Sequence, residues 1–378
     1  MLTIAVKYKN NILNKFINVC KSDIVFTIAF LAAILSSLVA MPKTSYIDFK
    51  VLACLFNLMI VIKAFEKQKL LDKFAVSLIN KCSDVHKLSL ILVLLCFFCS
   101  MLITNDVALI TFVPLTIIIS NKCSINVGNI IILETLAANI GSSLTPMGNP
   151  QNLYIFSKYN LSISQFFSTL VFFTLIGVAW LLILSFRLKN EPIQVSINTI
   201  PTENRLKTLI WLVLFIIIIL SVFSIINFKI AFILTIFSTF ILDKKLILEV
   251  DYLLLMTFIS FFIFIGNISN ISLVNNYMQS CLSSNTSTYV ASITLSQFIS
   301  NVPCSILLSK FTGNWKALLL GVNIGGIGTL IASLASVISY KLYIKDYPNE
   351  VKQYLLKFAG YSFVSLVIFA SLNYFLIR

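Results

Sequence analysis

Two polar, glycine-rich stretches interrupt this chain at matching places. The first is AANIGSSLTPMGNPQN at residues 137–152, and the second is GVNIGGIGTLIASLAS at 321–336. Aligned at an offset of 184 residues, they pair Asn139 with Asn323, Ile140 with Ile324, Gly141 with Gly325 and Thr145 with Thr329. That offset is almost half of the 378 residues. Short polar breaks at corresponding positions of two apolar halves point to a membrane transporter built from repeats around a central site.

Apolar residues make up 58% of the chain and charged residues 11%, too little polar surface for a soluble domain of this size. Apolar runs long enough to cross a bilayer recur from end to end. The expected fold class is therefore an all-α polytopic membrane protein. The net charge of +14 does not signal nucleic acid, because the lysines sit in short loops between apolar runs and read as topology. Cys96-x-x-Cys99 lies in LSLILVLLCFFCSML with no His or acid beside it, so it reads as small packing side chains and calls for no metal or cofactor. Residues 1–23 carry four Lys and precede an apolar run at 24–41 that lacks a cleavage site, which favours a retained first span.

Spans are expected over 24–41, 47–64, 165–186, 207–226, 229–243, 252–267 and 357–376. Four other apolar regions are broken. Residues 88–120 break at Thr104-Asn105-Asp106, and 128–158 break across 139–152. Residues 288–310 break at Ser300-Asn301-Val302-Pro303, and 316–340 break across 323–329. Unpaired backbone groups survive at membrane depth only inside protein or beside a wet cavity.

With a cytoplasmic N-terminus and 88–120 as a hairpin re-entering from that side, 21 of the 28 Lys and Arg fall inside and the uncharged loop 268–287 falls outside. The second hairpin, 288–310, then enters from the opposite face, as an inverted repeat requires. This divides the chain into a first membrane repeat at 1–186, a cytoplasmic linker at 187–206 and a second, inverted repeat at 207–378.

Asp106 and Glu134 are the two acids well inside the apolar regions. An ionisable group there is a candidate proton carrier or cation ligand. Asp106 also suits a helix cap at the first break. Asn105, Asn139, Asn301 and Asn323 recur at the starts of the breaks, where an amide offers an acceptor to a cation and a donor to an oxyanion. Thr104, Ser142, Ser143, Thr145, Asn149, Ser300 and Thr329 add further neutral polar groups. No Lys or Arg lies at either break, so helix dipoles and neutral donors would have to hold an anion.

At TNDVALITFVPLTI (104–117), ANIGSSLTPMGNPQNLYIF (138–156) and SQFISNVPCSILL (296–308), the chain resembles the ion transporter superfamily of citrate and dicarboxylate carriers, arsenite/antimonite efflux proteins and sodium/proton antiporters. With the surrounding spans, the likeness covers most of the chain. It implies two inverted repeats, each with a re-entrant hairpin and a broken helix, and a transport domain moving against a scaffold, with homodimers common. By position, the Ser-Asn-Thr tips that bind carboxylate and sodium in such carriers match Thr104-Asn105-Asp106 and Ser300-Asn301-Val302. Asp and Val at the third places depart from the dicarboxylate pattern, and the Asp is closer to the arsenite and sodium/proton branches.

The expectation is a secondary transporter of the cytoplasmic membrane, not an enzyme, that moves a small anion by symport or antiport with Na⁺ or H⁺. Sodium/proton antiport and arsenite or antimonite export stay open as alternatives. The partners are the substrate ion, the bilayer and a second copy of the chain.

Overall fold

The computed structural model describes residues 24–123, 125–193, 195, 197 and 204–377. The lysine-bearing segment 1–23 and residues 198–203 of the linker lie outside the described residues. The described chain is helical, with seventeen α-helices in order. In the first half these are α1 (Ile24–Ser37), α2 (Phe49–Lys67), α3 (Leu70–Ile79), α4 (Val85–Ile103), α5 (Asn105–Cys123), α6 (Gly128–Ser143), α7 (Pro150–Lys158) and α8 (Ile163–Phe186). The second half holds α9 (Arg205–Val222), α10 (Phe228–Leu242), α11 (Tyr252–Ile268), α12 (Ser272–Cys281), α13 (Asn285–Ile299), α14 (Asn301–Leu308), α15 (Trp315–Gly325), α16 (Leu334–Asp346) and α17 (Val351–Tyr374).

Local sequence sets many of the helix starts. Asp48, Asp84 and Asp251 accept from the third residue onward and open α2, α4 and α11. Ser162 with Gln165 and Ser284 with Ser287 form capping boxes for α8 and α13. Asn149 caps α7, with Pro150 at its first position, where a missing N–H costs nothing.

Among the described residues five helices are long and apolar enough to cross a membrane: α4, α5, α8, α9 and α17 with the short turn before it. α11 and α12 are long and apolar enough only when taken together, and they bend by 101° at residues 269–271, as a broken span or a re-entrant loop does. The chain is thus a multi-spanning membrane protein. α10 exposes Ile233, Phe237 and Ile241 at about two-thirds of their surface, as a lipid-facing helix does. One expectation needs correcting: the stretch 268–287, read as a polar loop, contains α12. The lysine-rich 68–81, to which no span was assigned, contains α3. Both are ten-residue amphipathic helices whose polar faces hid their periodicity. Each arm of the first hairpin, α4 and α5, has 19 residues, about 28 Å of helix and enough for a crossing of its own.

The helices gather into two groups, and each draws on both halves of the sequence. In one, α4, α5 and α6 pack with α13, α15 and α16, flanked by α8 and α17. There Trp180 Nε1 donates to Ser365 Oγ at 2.9 Å, and the Phe173 and Phe369 rings meet edge-on at 5.3 Å. In the other, α1 packs on α11, and α2 packs on α9 and α10. Asn267 on α11 ties down α1 through Ser36 and Ser37. The contact between the groups runs through α7 against α2 and α14 against α11. The broken segments therefore lie at the junction.

Candidate functional site

Both hairpins turn on a single residue. Thr104 takes φ 78°, ψ 150° between α4 and α5, and Ser300 takes φ 69°, ψ 154° between α13 and α14. Two non-glycine residues in the same sparsely populated conformation mark matched strained positions. An Asn follows each hinge and opens the next helix.

The hinges dock on the breaks by matched contacts. Asn105 N–H donates to Gly148 O at 3.1 Å, and Ser300 Oγ donates to Ala332 O at 3.3 Å, with Gly148 and Ala332 at the 184-residue offset. Thr145 Oγ1 donates to the main-chain carbonyl of Met101, and Thr329 Oγ1 donates to that of Gln297. Met101 and Gln297 each lie three residues before their hinge. A Cβ on Gly141 would fall 2.1 Å from Phe97 O and 2.6 Å from Ser100 Oγ; on Gly325 it would fall 2.7 Å from Ser296 Cβ. Both helix crossings need glycine, because any side chain would force the backbones apart.

Four helix N-termini face one cavity of about 120 Å³. Asn105 and Asp106 of α5, Pro150 and Gln151 of α7, Asn301 and Val302 of α14, and Ser333 and Leu334 of α16 line it, along with Ser300. No Lys or Arg does. α11 contributes Asp251, Leu254 and Thr257. A second cavity of about 290 Å³ shares Asp106, Pro150, Asp251, Leu254 and Leu334 with the first, and reaches Thr104, Lys63 and Glu249. Asp106 sits in the first turn of α5, where a carboxylate suits the helix dipole, and its own N–H donates to Asn105 Oδ1 at 3.0 Å. Asn301 is 4% exposed and lines the cavity, and no hydrogen bond engages its amide among the described residues.

The other predicted amides lie behind the cavity and bond to one another. Asn139 Oδ1 accepts from Asn105 Nδ2 at 3.0 Å and from Ser333 Oγ at 2.9 Å, while its Nδ2 donates to Ser336 Oγ at 3.3 Å. Asn149 Nδ2 reaches Asn323 Oδ1 and Ser142 Oγ, both at 3.3 Å. Asn152 Nδ2 gathers the carbonyls ending α6, at 2.8 Å from Ser143 O and 3.2 Å from Thr145 O, and its Oδ1 accepts from Asn323 Nδ2 at 2.7 Å. This buried network joins both breaks and the first tip, and a satisfied network of this kind fixes one arrangement.

The predicted set therefore divides three ways. Asn105, Asp106, Ser300 and Asn301 face the cavity, with Thr104 on the adjoining one. Asn139, Ser142, Asn149 and Asn323 support it from behind. Ser143, Thr145 and Thr329 spend their hydroxyls on main-chain carbonyls, and Thr329 is exposed. Glu134 stands apart: fully buried on α6, it accepts from Thr116 Oγ1 at 2.7 Å and lines neither cavity.

Sequence reasoning missed Asp251, Asn152 and Ser333. Asn152 lies inside the first quoted stretch, and Ser333 is the offset partner of Asn149, so both were within reach. Asp251 carries only the signal of a single acid at the start of an apolar run.

Comparison with known proteins places the chain as a whole. Residues 12–314 match the family described as CitMHS, citrate transporter. The chain is 34% identical over 320 residues to an uncharacterised transporter of Methanocaldococcus jannaschii, covering 84% of this chain and 87% of that one. It is 30% identical over 339 residues to the inner membrane protein YbiR of Escherichia coli, covering 86% and 90%. Its fold resembles the crystal structure of the Alcanivorax borkumensis YdaH transporter, described as having an unusual topology. That likeness has a TM-score of 0.54 at 14% identity and covers 86% and 84% of the two chains. The chain belongs to the CitMHS family: it is a secondary transporter that moves a small solute across a membrane, and not an enzyme.

Proposed function

We propose that the solute is a small anion, carried across the cytoplasmic membrane with Na⁺ or H⁺ and bound where the two hairpin tips meet the two breaks. The convergence of four helix N-termini on one cavity without a basic side chain carries this reading. Each terminus presents about half a positive charge, the usual means of holding an anion without a buried salt bridge, although the N–H groups of Asn105, Asp106 and Asn152 are already bonded within the protein.

Asp106 and Asp251 oppose an anion in that space. A cation bound at Asp106, or a proton on it, removes the repulsion, so loading of the coupling ion and of the anion becomes interdependent. Asn105 and Asn301, next to the hinges, supply donors to the anion and carbonyls to the cation. The supporting amides hold these groups in place while the hairpin group moves against α1, α2 and α9–α11. In the same reading, 1–186 and 207–378 are inverted repeats about the linker, the hairpins are re-entrant, the N-terminus is cytoplasmic and the carrier is a homodimer.

Sodium/proton antiport without an anion is the second reading, favoured by the two carboxylates on one cavity. Arsenite export gains nothing from Cys304, whose buried thiol donates to Ser292 O at 3.5 Å and lines neither cavity.

The test is proton flux in proteoliposomes under a Na⁺ gradient with no anion present, comparing native protein with Asp106→Asn. A native protein that stays silent until carboxylates or inorganic oxyanions are added supports the anion carrier. Saturable flux without an anion, abolished by Asp106→Asn, replaces it with antiport.

A further inference from the structure

The tip cavity has a counterpart at the other ends of the same helices. α7 runs from Pro150 at the tip cavity to Lys158, and α14 runs from Asn301 toward Lys310, two residues beyond its end. Lys158 and Lys310 line a separate cavity of about 300 Å³ together with Ser45, Tyr46, Asp48 and Tyr154. α11 borders both spaces, with Thr257 and Phe261 on the first and Phe262 and Ile265 on the second. Tyr154, 2% exposed, lines the second space about one helical turn from Pro150 on α7. Its ring lies 5.6 Å from that of Phe262, and its hydroxyl meets Ser309 Oγ at 2.8 Å.

Charge in this second space is unbalanced. Among the described residues neither lysine has a hydrogen-bond or ion-pair partner. Asp48, the one carboxylate among the described lining residues, is held by its helix and by α7: Oδ1 accepts from Val51 N–H at 3.0 Å and Oδ2 from Ser157 Oγ at 3.4 Å. Burial, and then the charge on Lys158, hold the Lys310 ammonium below the ordinary lysine range. Two ammonium groups thus border a polar space whose one described carboxylate, Asp48, balances only one of them.

We propose that this cavity is a capture site for a small carboxylate anion, held between Lys158 and Lys310 before it passes Tyr154 to the hairpin tips. The inference rests on the anion reading above and names where that anion is first bound. Lysine fits such a handover, because its ammonium is a flexible point charge that attracts an anion without locking it in a bidentate grip.

The test is calorimetric titration of citrate into the purified full chain in phosphatidylcholine nanodiscs. The lysine variants are made in native protein, and the same variants are titrated in an Asp106→Asn background to show what the tip cavity adds. In both backgrounds Lys158→Gln with Lys310→Gln should weaken citrate binding about tenfold or more, and Arg at both positions should restore it. Unchanged affinity in the double Gln variant of native protein would overturn the proposal. If native protein binds no citrate but retains phosphatidylglycerol through purification in a lysine-dependent way, the occupant is a lipid headgroup and the proposal is wrong. Absence of both is equally fatal to it. A failed proton-flux test leaves this result readable, because no transport step enters it.

Discussion

At the scale of single residues, the site depends on glycines and amides more than on charges. Gly141 has no room for a methyl group, since Phe97 O and Ser100 Oγ occupy the space. Gly141→Ala should therefore lower stability by about 1–3 kcal/mol, seen as an earlier melting transition in detergent. A transition within experimental error of native protein would mean that α4 and α6 can part without cost. Asn152 makes a different case. Its amide satisfies the carbonyls ending α6 and links to Asn323, so Asn152→Ala leaves several buried polar groups unpaired, each costing about 1–3 kcal/mol. Asn152→Asp keeps the acceptor for Asn323 but removes the donors, and should be nearly as damaging by the same measurement. Asn139 and Asn323 were legible from the sequence because the repeat marks them. The division between amides that face the cavity and amides that support it was not. Sequence spacing places a residue at a break but does not show which way its side chain turns.

At the scale of elements, the two hairpins behave as copies with different arms. Both place a β-branched or small hydroxyl residue at the hinge and an Asn after it, and both anchor the hinge through a Thr on the facing break. Thr145→Val and Thr329→Val remove equivalent bonds, yet their costs should differ. Thr145 is nearly buried, and its loss leaves Met101 O unpaired inside the protein, whereas Thr329 is exposed at the surface. Melting curves should show the first variant losing more stability, and equal losses would contradict the burial argument.

The other group has its own clamp, from Lys67 to Asp243 and Glu249 at 2.7 and 3.4 Å, tying α2 to the turn after α10. The Lys67 hydrogen bond holds the Asp243 carboxyl below the usual carboxylate range. Its contribution is therefore complete above the ordinary carboxylate pKa and fades as pH falls through Asp243's depressed range. Both partners are partly exposed, so screening keeps the effect below about 1 kcal/mol. Lys67→Met should flatten that acid limb of a stability–pH curve and leave the neutral region almost unchanged. The breaks were visible in the sequence because Gly, Pro and Asn interrupt apolar runs. α3 and α12 were not, because a short amphipathic helix beside a membrane has the composition of a loop.

At the scale of the whole molecule, the two cavities lie at opposite ends of shared helices. The tip cavity adjoins a space with Lys63 and Glu249, at the end of α2 where Lys67 meets the turn after α10. The lysine-lined cavity lies at the other ends of α2, α7 and α11, beside Asp48, Lys158 and Ile265. If the N-terminus is cytoplasmic, the first opening faces the cytoplasm and the second faces outward, where a capture site for an imported anion belongs. The sequence carried the lysine bias that suggests this orientation, but only folding shows that Lys158 and Lys310, 152 positions apart, share one cavity. Cys281 offers a direct test, since it is exposed near the end of α12 in the stretch assigned to the outside. In intact cells a membrane-impermeant maleimide should label Cys281, and Cys281→Ser should abolish that labelling. In the Cys281→Ser background, the exposed Lys81→Cys, between α3 and α4, should react only after the membrane is permeabilised. The reverse pattern would invert the molecule, place the lysine cavity on the cytoplasmic face, and turn the same pair of lysines into a loading site for export.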